Sequence, residues 1–179
     1  MGSRKSQTYS NFNDFMYNLS YWSSWSNGFN IWKSEFDKID KNLKLNKLFP
    51  HTSLFLTQHQ AKLFCINDNL LFDVQRIPKR GGHNKFEAFT IEYPSLLDEC
   101  CKKGHISTKC KKHILFGIMV QFLPSLLFNK YIIRIETFDD TGFRNNLKKY
   151  YPSYAYWLVL ISVLGVPFRL FCRKLKNKR

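Results

Sequence analysis

Apolar residues in the first fifty positions recur every three or four residues, which is the spacing of one face of an α-helix. Asn11 stands immediately before the first stripe, where it is suited to cap a helix. Residues 1–50 are therefore predicted to form an arm of amphipathic helices that packs on its own domain or lies on a membrane or a partner. The two stripes are Phe12, Phe15, Met16, Leu19 and Trp22, followed by Trp32, Phe36, Ile39 and Leu43.

The period of the pattern changes from about 3.6 to 2 after Pro50, which is typical of β-strands. Short turn-forming segments separate the alternating stretches and leave no room for crossover connections, so neighbouring strands should be antiparallel. Residues 51–150 are predicted to form an antiparallel β domain, a β-meander. Its expected strands are Ser53–Thr57, Ala61–Ile66, Leu70–Ile77, Lys85–Tyr93 and Tyr131–Phe138, and a short helix is expected within Thr141–Tyr150.

The C-terminal segment 151–179 contains the strongest apolar run, Tyr154–Cys172, with ten Leu, Ile, Val or Phe residues and no acid. As a helix it would extend for about 28 Å, close to the ~30 Å hydrocarbon core of a bilayer. The run predicts a transmembrane helix. Because helices are expected at both ends of the chain and a β-meander between them, the predicted fold class is α+β. Gly165 and Pro167 support the alternative, a buried helix of a soluble domain. The residues predicted to contact membrane are Tyr154, Tyr156, Trp157, Leu158, Leu160, Ile161, Leu164, Phe168 and Arg169, the last by extending its charge to the interface.

A second apolar run, Ile114–Asn129, has two interpretations. Sixteen uncharged residues reach only about 24 Å as a helix, and Gln121 and Pro124 interrupt the run. If it spans a membrane, the protein is a two-span hairpin. We favour the other interpretation, in which the run is part of a core.

Charge adds a constraint on the partner. The chain has 28 Lys and Arg against 13 Asp and Glu, a net charge of +15, and residues 141–179 contain nine basic residues and no acid. Such a surface attracts anionic lipid, phosphate or acidic protein. The residues expected to make anionic contacts are Arg173, Lys174, Lys176, Lys178 and Arg179, which should hold the tail on the cytosolic or matrix side.

Cysteine and histidine cluster in a predicted basic loop at residues 98–113. Cys101, His105, Cys110 and His113 follow the pattern C-x3-H-x4-C-x2-H, which offers four zinc ligands within thirteen residues. Alternatively, the loop is a solvated insertion between strands and binds no metal. The stretch from Cys100 to Cys110 also resembles half of the twin C-x9-C pattern of mitochondrial intermembrane-space proteins, although the other half is missing.

The sequence contains only weak targeting patterns, and the common catalytic motifs are absent from it. Gly2 with Ser6 fits a myristoylation pattern, and Ser3–Ser34 has the serine-rich character of a mitochondrial import segment. Gly81, Gly82 and His83 lie in a basic turn that could hold a phosphate with Lys79 and Arg80, although we favour a mobile hairpin without a ligand. The sequence contains no P-loop, dinucleotide-binding glycine motif, nucleophile elbow or HExxH zinc motif, and we expect no enzymatic activity and no cofactor apart from the zinc alternative.

These features favour a non-catalytic accessory subunit of a membrane protein complex. The mitochondrial inner membrane is the expected location, with the tail on the matrix side and with other subunits and an anionic lipid such as cardiolipin as partners. One alternative is a basic RNA-binding component of an organellar ribosome, since thirty aromatic residues would stack on unpaired bases. Another alternative is a tail-anchored endomembrane protein.

Overall fold

The structure, a computed structural model, describes residues 6–25, 30–67 and 84–177, with side chains as far as residue 172. These residues are mostly helical, with a small two-stranded antiparallel sheet, and they do not form a β-meander. Four sequence-based hypotheses lie outside this description: acylation of Gly2, the strand Leu70–Ile77, the turn at Gly81–His83 and the side-chain contacts of the C-terminal tail.

The elements follow one another along the chain as a sheet strand, three short helices, a second strand and then a series of helices. In chain order they are β1 (Gln7–Tyr9), α1 (Phe12–Leu19), a 3-10 helix (Ser20–Ser24), α2 (Lys33–Phe36), α3 (Pro50–Leu56), a 3-10 helix (Thr57–Gln60), β2 (Phe64–Ile66), α4 (Lys85–Glu87), a π-helix (Ala88–Glu92), α5 (Tyr93–Lys102), α6 (Thr108–Gly117), a π-helix (Ile118–Phe122), α7 (Leu123–Leu127), a π-helix (Phe128–Ile132), α8 (Phe143–Tyr150), α9 (Ala155–Val163) and α10 (Val166–Asn177).

The chain divides into two compact units. Among the described residues, the first contains 6–67 and 92–115, and we call it the N-terminal unit. The second contains 84–91 and 116–177, and we call it the C-terminal unit. Each unit is thus assembled from segments that are distant in the sequence.

Helix α1 begins where the sequence predicts. The side chain of Asn11 accepts a hydrogen bond from the backbone N–H of Asp14, which satisfies a donor that the first turn leaves free. Three residues of the predicted stripe, Phe12, Phe15 and Met16, are buried, whereas Leu19 is half-buried and Trp22 lies beyond α1 and is exposed. The helix ends at Ser20, whose φ of 55° is incompatible with a right-handed helix.

The core of the N-terminal unit is an aromatic cluster covered by the sheet. Strand β2 pairs antiparallel with β1, and Tyr9 lies opposite Phe64. The ring of Phe64 stacks on Phe15 with centroids 4.9 Å apart and contacts Phe12 at 5.4 Å, while Phe55 of α3 packs on both phenylalanines. The predicted strand Ala61–Ile66 is therefore correct over Phe64–Ile66, but its partner comes from the N-terminal arm and not from a neighbouring strand of a meander.

The predicted strand Ser53–Thr57 is wrong, because these residues lie in α3 and the following 3-10 turn. Pro50 begins α3 at a position where its missing N–H costs nothing. The buried residues Thr52, Ser53, Phe55 and Leu56 follow helical spacing.

The predicted strand Lys85–Tyr93 is also wrong, since it forms α4, a π-helical turn and the start of α5. Phe86, Ala88 and Thr90 are buried at alternate positions, which imitates a strand. Phe86 and Thr90 are four residues apart and share one side of the helical segment, whereas Ala88 lies on the other side, so the alternation reflects a helix that is buried on two sides. Asn84 caps the helix by accepting from the N–H of Glu87.

Three further predictions have mixed outcomes. The strand Tyr131–Phe138 is not formed, because the helix continues to Ile132 and is followed by irregular chain in which Arg134 has a φ of 59°. The second N-terminal stripe fails as well, since only Lys33–Phe36 is helical and both Trp32 and Phe36 are exposed. The short helix before Pro152 is confirmed as α8.

Candidate membrane-contact surface

Helices α9 and α10 place their small side chains inside the C-terminal unit. The buried residues among their described side chains are Ala155, Val159 and Val166. Ala155 and Val159 are four residues apart and so share a face, and this helix packs against Ile118–Phe122 and Leu123–Leu127. Small residues at such contacts let two helices approach closely, as in membrane-embedded helix pairs.

The large apolar side chains of the same helices face outward. Five of them, each with between 59% and 81% of its surface exposed, follow spacings of four, three, four and three residues. We call this set the apolar stripe. Soluble proteins bury their largest apolar groups first, so the order of small residues inside and large residues outside is reversed here. The stripe consists of Trp157, Ile161, Leu164, Phe168 and Phe171.

The C-terminal run is not the single straight helix that the sequence predicts. Helices α9 and α10 meet at a break at Leu164 and Gly165 and are bent by 51°. Pro167 accounts for the break, because its ring would clash with the carbonyl of Val163, the last residue of α9, and because it has no N–H to donate. By length and composition the two helices pass as a membrane span only when they are taken together.

Arg169 lies within this apolar surface and is held there by backbone groups. Its guanidinium donates to the carbonyl of Val120 at 2.5 Å and to that of Ser162 at 3.4 Å. A charged group in apolar surroundings is costly unless its donors are paired. Arg169, which the sequence predicts to extend its charge to a membrane interface, thus contacts the π-helical turn at Ile118–Phe122.

Among the described residues, the helix that by itself is long and apolar enough to cross a membrane is Thr108–Ile132, with 25 residues. It contains the run for which we favoured a core position, and 56% of its most apolar window is buried. A core helix meets the same criteria, so this helix alone does not decide between the two interpretations.

The remaining predicted contact residues divide between exposed and half-buried positions. Tyr154 is exposed, whereas Tyr156, Leu158 and Leu160 are half-buried. Sequence analysis missed other exposed apolar residues of this unit, namely Phe116, Tyr131, Ile132 and Ile133. Their signal was present as apolar residues within the two runs that we assigned to a core and to a strand.

Basic residues accompany this surface. Helix α8 exposes Arg144, Lys148 and Lys149, and the guanidinium of Arg144 lies 5.2 Å from the centre of the Tyr156 ring. Arg144 and Lys148 are four residues apart and so project from the same side of the helix. Residues 141–179 contain no acid, and Asp140, which precedes this segment, is paired with Lys130.

The four predicted zinc ligands are not brought together. His105 stacks on His59 with ring centres 3.5 Å apart, and His113 stacks on Tyr17 at 3.9 Å. Cys110 is buried, and its thiol donates to the carbonyl of Asn13 at 3.6 Å. Within the described ranges no three His, Cys, Asp or Glu side chains are grouped to hold a metal ion.

The predicted loop at residues 98–113 is mostly helical, since α5 ends at Lys102 and α6 begins at Thr108. Asp98 lies between two lysines, 2.7 Å from Lys111 and 3.0 Å from Lys102, and these hydrogen bonds lower the pKa of its carboxyl group. Burial and the neighbouring His59 lower the pKa of His105, so this imidazole favours its neutral form. These charged groups therefore have local structural partners.

A polar cavity of about 650 Å³ lies beside the histidine pair of the N-terminal unit. Asn13 and Ser107 line it, but the side chain of Asn13 is already engaged, because it accepts from the N–H of Ser107 at 2.7 Å. The buried Nδ1 of His59 has no hydrogen-bond partner among the described residues. We assign no function to this cavity.

Comparison with known proteins identifies no similar protein. No protein-family model matches the chain, and neither a curated protein nor a solved structure matches it. We therefore argue function from the geometry of the apolar stripe and its surroundings.

Proposed function

We propose that the protein is a non-catalytic accessory subunit of a membrane protein complex and that its C-terminal unit enters the membrane. The observation that carries this proposal is the reversed order of side chains in α9 and α10. Ala155, Val159 and Val166 are buried, while five large apolar residues are exposed. In water, the exposed aromatic and branched side chains forgo the stabilisation that burial would give, whereas in hydrocarbon their exposure has no such cost.

The energetics favour insertion. Each Leu, Ile, Phe or Val contributes roughly −0.3 to −0.6 kcal/mol at the centre of a membrane helix. The ten such residues of Tyr154–Cys172 would together contribute about 3 to 6 kcal/mol, and the carbonyl contacts of Arg169 reduce the opposing cost of its charge. The bent pair of α9 and α10 would insert beside Thr108–Ile132, which by itself has the length and composition of a membrane span.

The accessory role is supported by the local partners of side chains that could otherwise act in catalysis or bind a metal. Cys110 and His113 pack within the N-terminal unit, and Asp98 is neutralised by two lysines. The basic residues of α8 favour a membrane with an anionic face. The mitochondrial inner membrane, with the tail on the matrix side, remains our prediction for the location.

The test compares two aspartate substitutions at equally exposed positions. Ile161→Asp lies in the apolar stripe, and Leu63→Asp lies in the N-terminal unit, with 64% and 66% of the side chain exposed, respectively. Aspartate at the centre of a membrane helix costs about 2.5 to 3.5 kcal/mol. We expect Ile161→Asp to increase release of the protein by alkaline carbonate, while Leu63→Asp behaves as the wild type.

Circular dichroism of both variants controls for folding, since neither position is buried. Complete release of the wild-type protein by carbonate would contradict membrane integration. Recovery of that soluble protein with bound RNA would favour the ribosomal alternative.

A further inference from the structure

We propose that the C-terminal unit binds one acyl chain of an anionic phospholipid in a defined cavity, with the phosphate at Arg144. The cavity has a volume of about 530 Å³, within the range of roughly 300 to 1,000 Å³ that is typical of small-molecule sites. It lies between the end of the Phe128–Ile132 turn, the start of α8 and helix α9.

One part of the cavity is suited to a hydrocarbon chain. Leu127, Leu160 and Val163 line it, and Ile132 and Tyr131 extend the apolar wall. Ile132 and Tyr131 are more than half exposed although they adjoin the cavity. An acyl chain would cover apolar surface that the protein itself leaves in contact with solvent.

The other part of the cavity is suited to an anion. Arg144 and Asn145 line it at the first turn of α8, and the described residues offer no carboxylate partner to Arg144. The guanidinium is positioned over Tyr156, which leaves its donors available for a bidentate contact with phosphate. Lys148, one turn further along α8, adds a second positive charge on the same side.

The acidic residue of the cavity does not cancel this charge. Asp140 forms an ion pair with Lys130 at 2.8 Å and accepts a hydrogen bond from the hydroxyl of Tyr131. Burial alone would raise the pKa of Asp140, but these partners outweigh it and lower the pKa, so the group is ionised and paired. Arg144 therefore gives the cavity a net positive charge.

A phospholipid fits these features better than a fatty acid does. The phosphodiester of a phospholipid presents two anionic oxygens for a bidentate contact with Arg144, and its ester oxygens can accept from Asn145, whereas a fatty acid has only its two carboxylate oxygens. The inference rests on the proposed membrane location, because a membrane supplies this lipid at high local concentration.

The experiment uses the fluorescence of Trp157, whose ring contacts Tyr156 at the edge of the cavity with centroids 5.4 Å apart. The other three tryptophans, Trp22, Trp25 and Trp32, are replaced by Phe in the full-length protein. The protein is placed in vesicles that contain either dibrominated phosphatidylglycerol or dibrominated phosphatidylcholine at equal mole fraction. Bromine quenches the indole only at short range. Bulk bilayer lipid reaches Trp157 equally in both kinds of vesicle, so the difference in quenching between them reports which lipid occupies the site.

We expect the anionic lipid to quench more strongly than the zwitterionic lipid. Arg144→Gln should weaken this preference by roughly tenfold, the effect of losing one charge-assisted contact. Arg134→Gln is the matched control, because Arg134 is an exposed arginine of the same unit and does not line the cavity. Val163→Phe, which fills the apolar part, should also reduce the preference.

Equal quenching by the two lipids in the wild-type protein would overturn the inference and leave the membrane location intact. An absence of quenching by both lipids would instead contradict the proposed membrane location. Stronger quenching by a dibrominated fatty acid than by the phospholipid would overturn the assignment of the phosphate.

Discussion

The N-terminal and C-terminal units both contain many aromatic and aliphatic residues but place them differently. In the N-terminal unit, Phe12, Phe15 and Phe64 pack on one another beneath a small sheet. In the C-terminal unit, α9 and α10 bury Ala155 and Val159 and expose the apolar stripe. The same class of side chain is thus a core component in one unit and a surface in the other.

This difference bears on our proposal that part of the C-terminal unit lies in a membrane. The N-terminal unit also exposes Trp22, Trp25 and Trp32, but these lie in a 3-10 helix and in irregular chain and form no continuous helical face. Scattered exposed apolar residues are normal on soluble proteins, whereas a regular exposed stripe marks a contact surface. The comparison therefore supports our proposal that the N-terminal unit faces water and that α9 and α10 of the other unit lie in a membrane.

The largest expected effect comes from a pair of Phe→Ala substitutions. Phe15 is 5% exposed and Phe168 is 70% exposed. Phe15→Ala should lower the free energy of unfolding by about 3 to 5 kcal/mol, because it leaves a cavity in the aromatic cluster. Phe168→Ala should change it by no more than about 0.5 kcal/mol. Chemical unfolding in mild detergent measures both values, and similar losses in the two variants would contradict the exposed position of Phe168.

A smaller and equal effect is expected from two buried tyrosines, one in each unit. The Tyr93 hydroxyl pairs with that of Ser23 at 2.5 Å, and the Tyr151 hydroxyl donates to the carbonyl of Phe89 at 2.8 Å. Tyr93→Phe and Tyr151→Phe should each cost roughly 0.5 to 1.5 kcal/mol of unfolding free energy. Equal losses in thermal unfolding would show that the units differ in their outer surfaces and not in the quality of their cores. A loss confined to Tyr93→Phe would contradict that view.

The smallest effect is a pH dependence in the N-terminal unit. Lys111 and Lys102 lower the pKa of Asp98 in the folded state, so its ion pairs stabilise the fold above the ordinary carboxyl pKa of about 3.9. This stabilisation should be lost as the pH falls from about 4 through the lowered pKa of the folded state. Asp98→Asn should make unfolding less dependent on pH in that window. An unchanged slope would show that the ion pairs contribute nothing measurable.

The parts of the fold that could be predicted from the sequence are those fixed by local signals. Asn11 and the stripe Phe12, Phe15 and Met16 predicted α1 because a cap and a buried face lie within one short segment. Helix α8 was predicted from its position before Pro152, although Gly142 at its start provides no side-chain cap. Pro167 was correctly noted as a weak point of the C-terminal run, although its consequence, a 51° bend, was not predicted.

The alternation of apolar residues alone could not distinguish the helices of the structure from the strands of the predicted β-meander. Phe86, Ala88 and Thr90 alternate as strand residues do, because a helical segment that is buried on two sides also buries alternate positions. Asn84 followed three residues later by Glu87 resembled a helix start, and this signal was overlooked. The pairing of β2 with Gln7–Tyr9 joins segments more than fifty residues apart, which a local pattern does not reveal.

The candidate site was predicted in part. Trp157, Ile161, Leu164 and Phe168 were named as membrane contacts, and the structure exposes all four. The sequence did not show that Arg169 is paired with Val120, since this contact depends on how α10 packs in the C-terminal unit. The zinc hypothesis failed to anticipate the packing of His105 on His59 and of His113 on Tyr17, since ring stacking leaves no trace in residue spacing.

The central claim is that the apolar stripe lies in hydrocarbon, and site-specific thiol labelling in vesicles tests it most directly. Leu164→Cys places a thiol on the most exposed residue of the stripe, and Leu63→Cys places one on an exposed apolar residue of the N-terminal unit. A membrane-impermeant maleimide is added to each variant, and peptide mapping reports the rate at the new site. We predict that position 164 reacts roughly tenfold or more slowly than position 63, because access to water controls thiol reactivity. Equal rates at the two positions would show that the stripe faces water and would contradict the account.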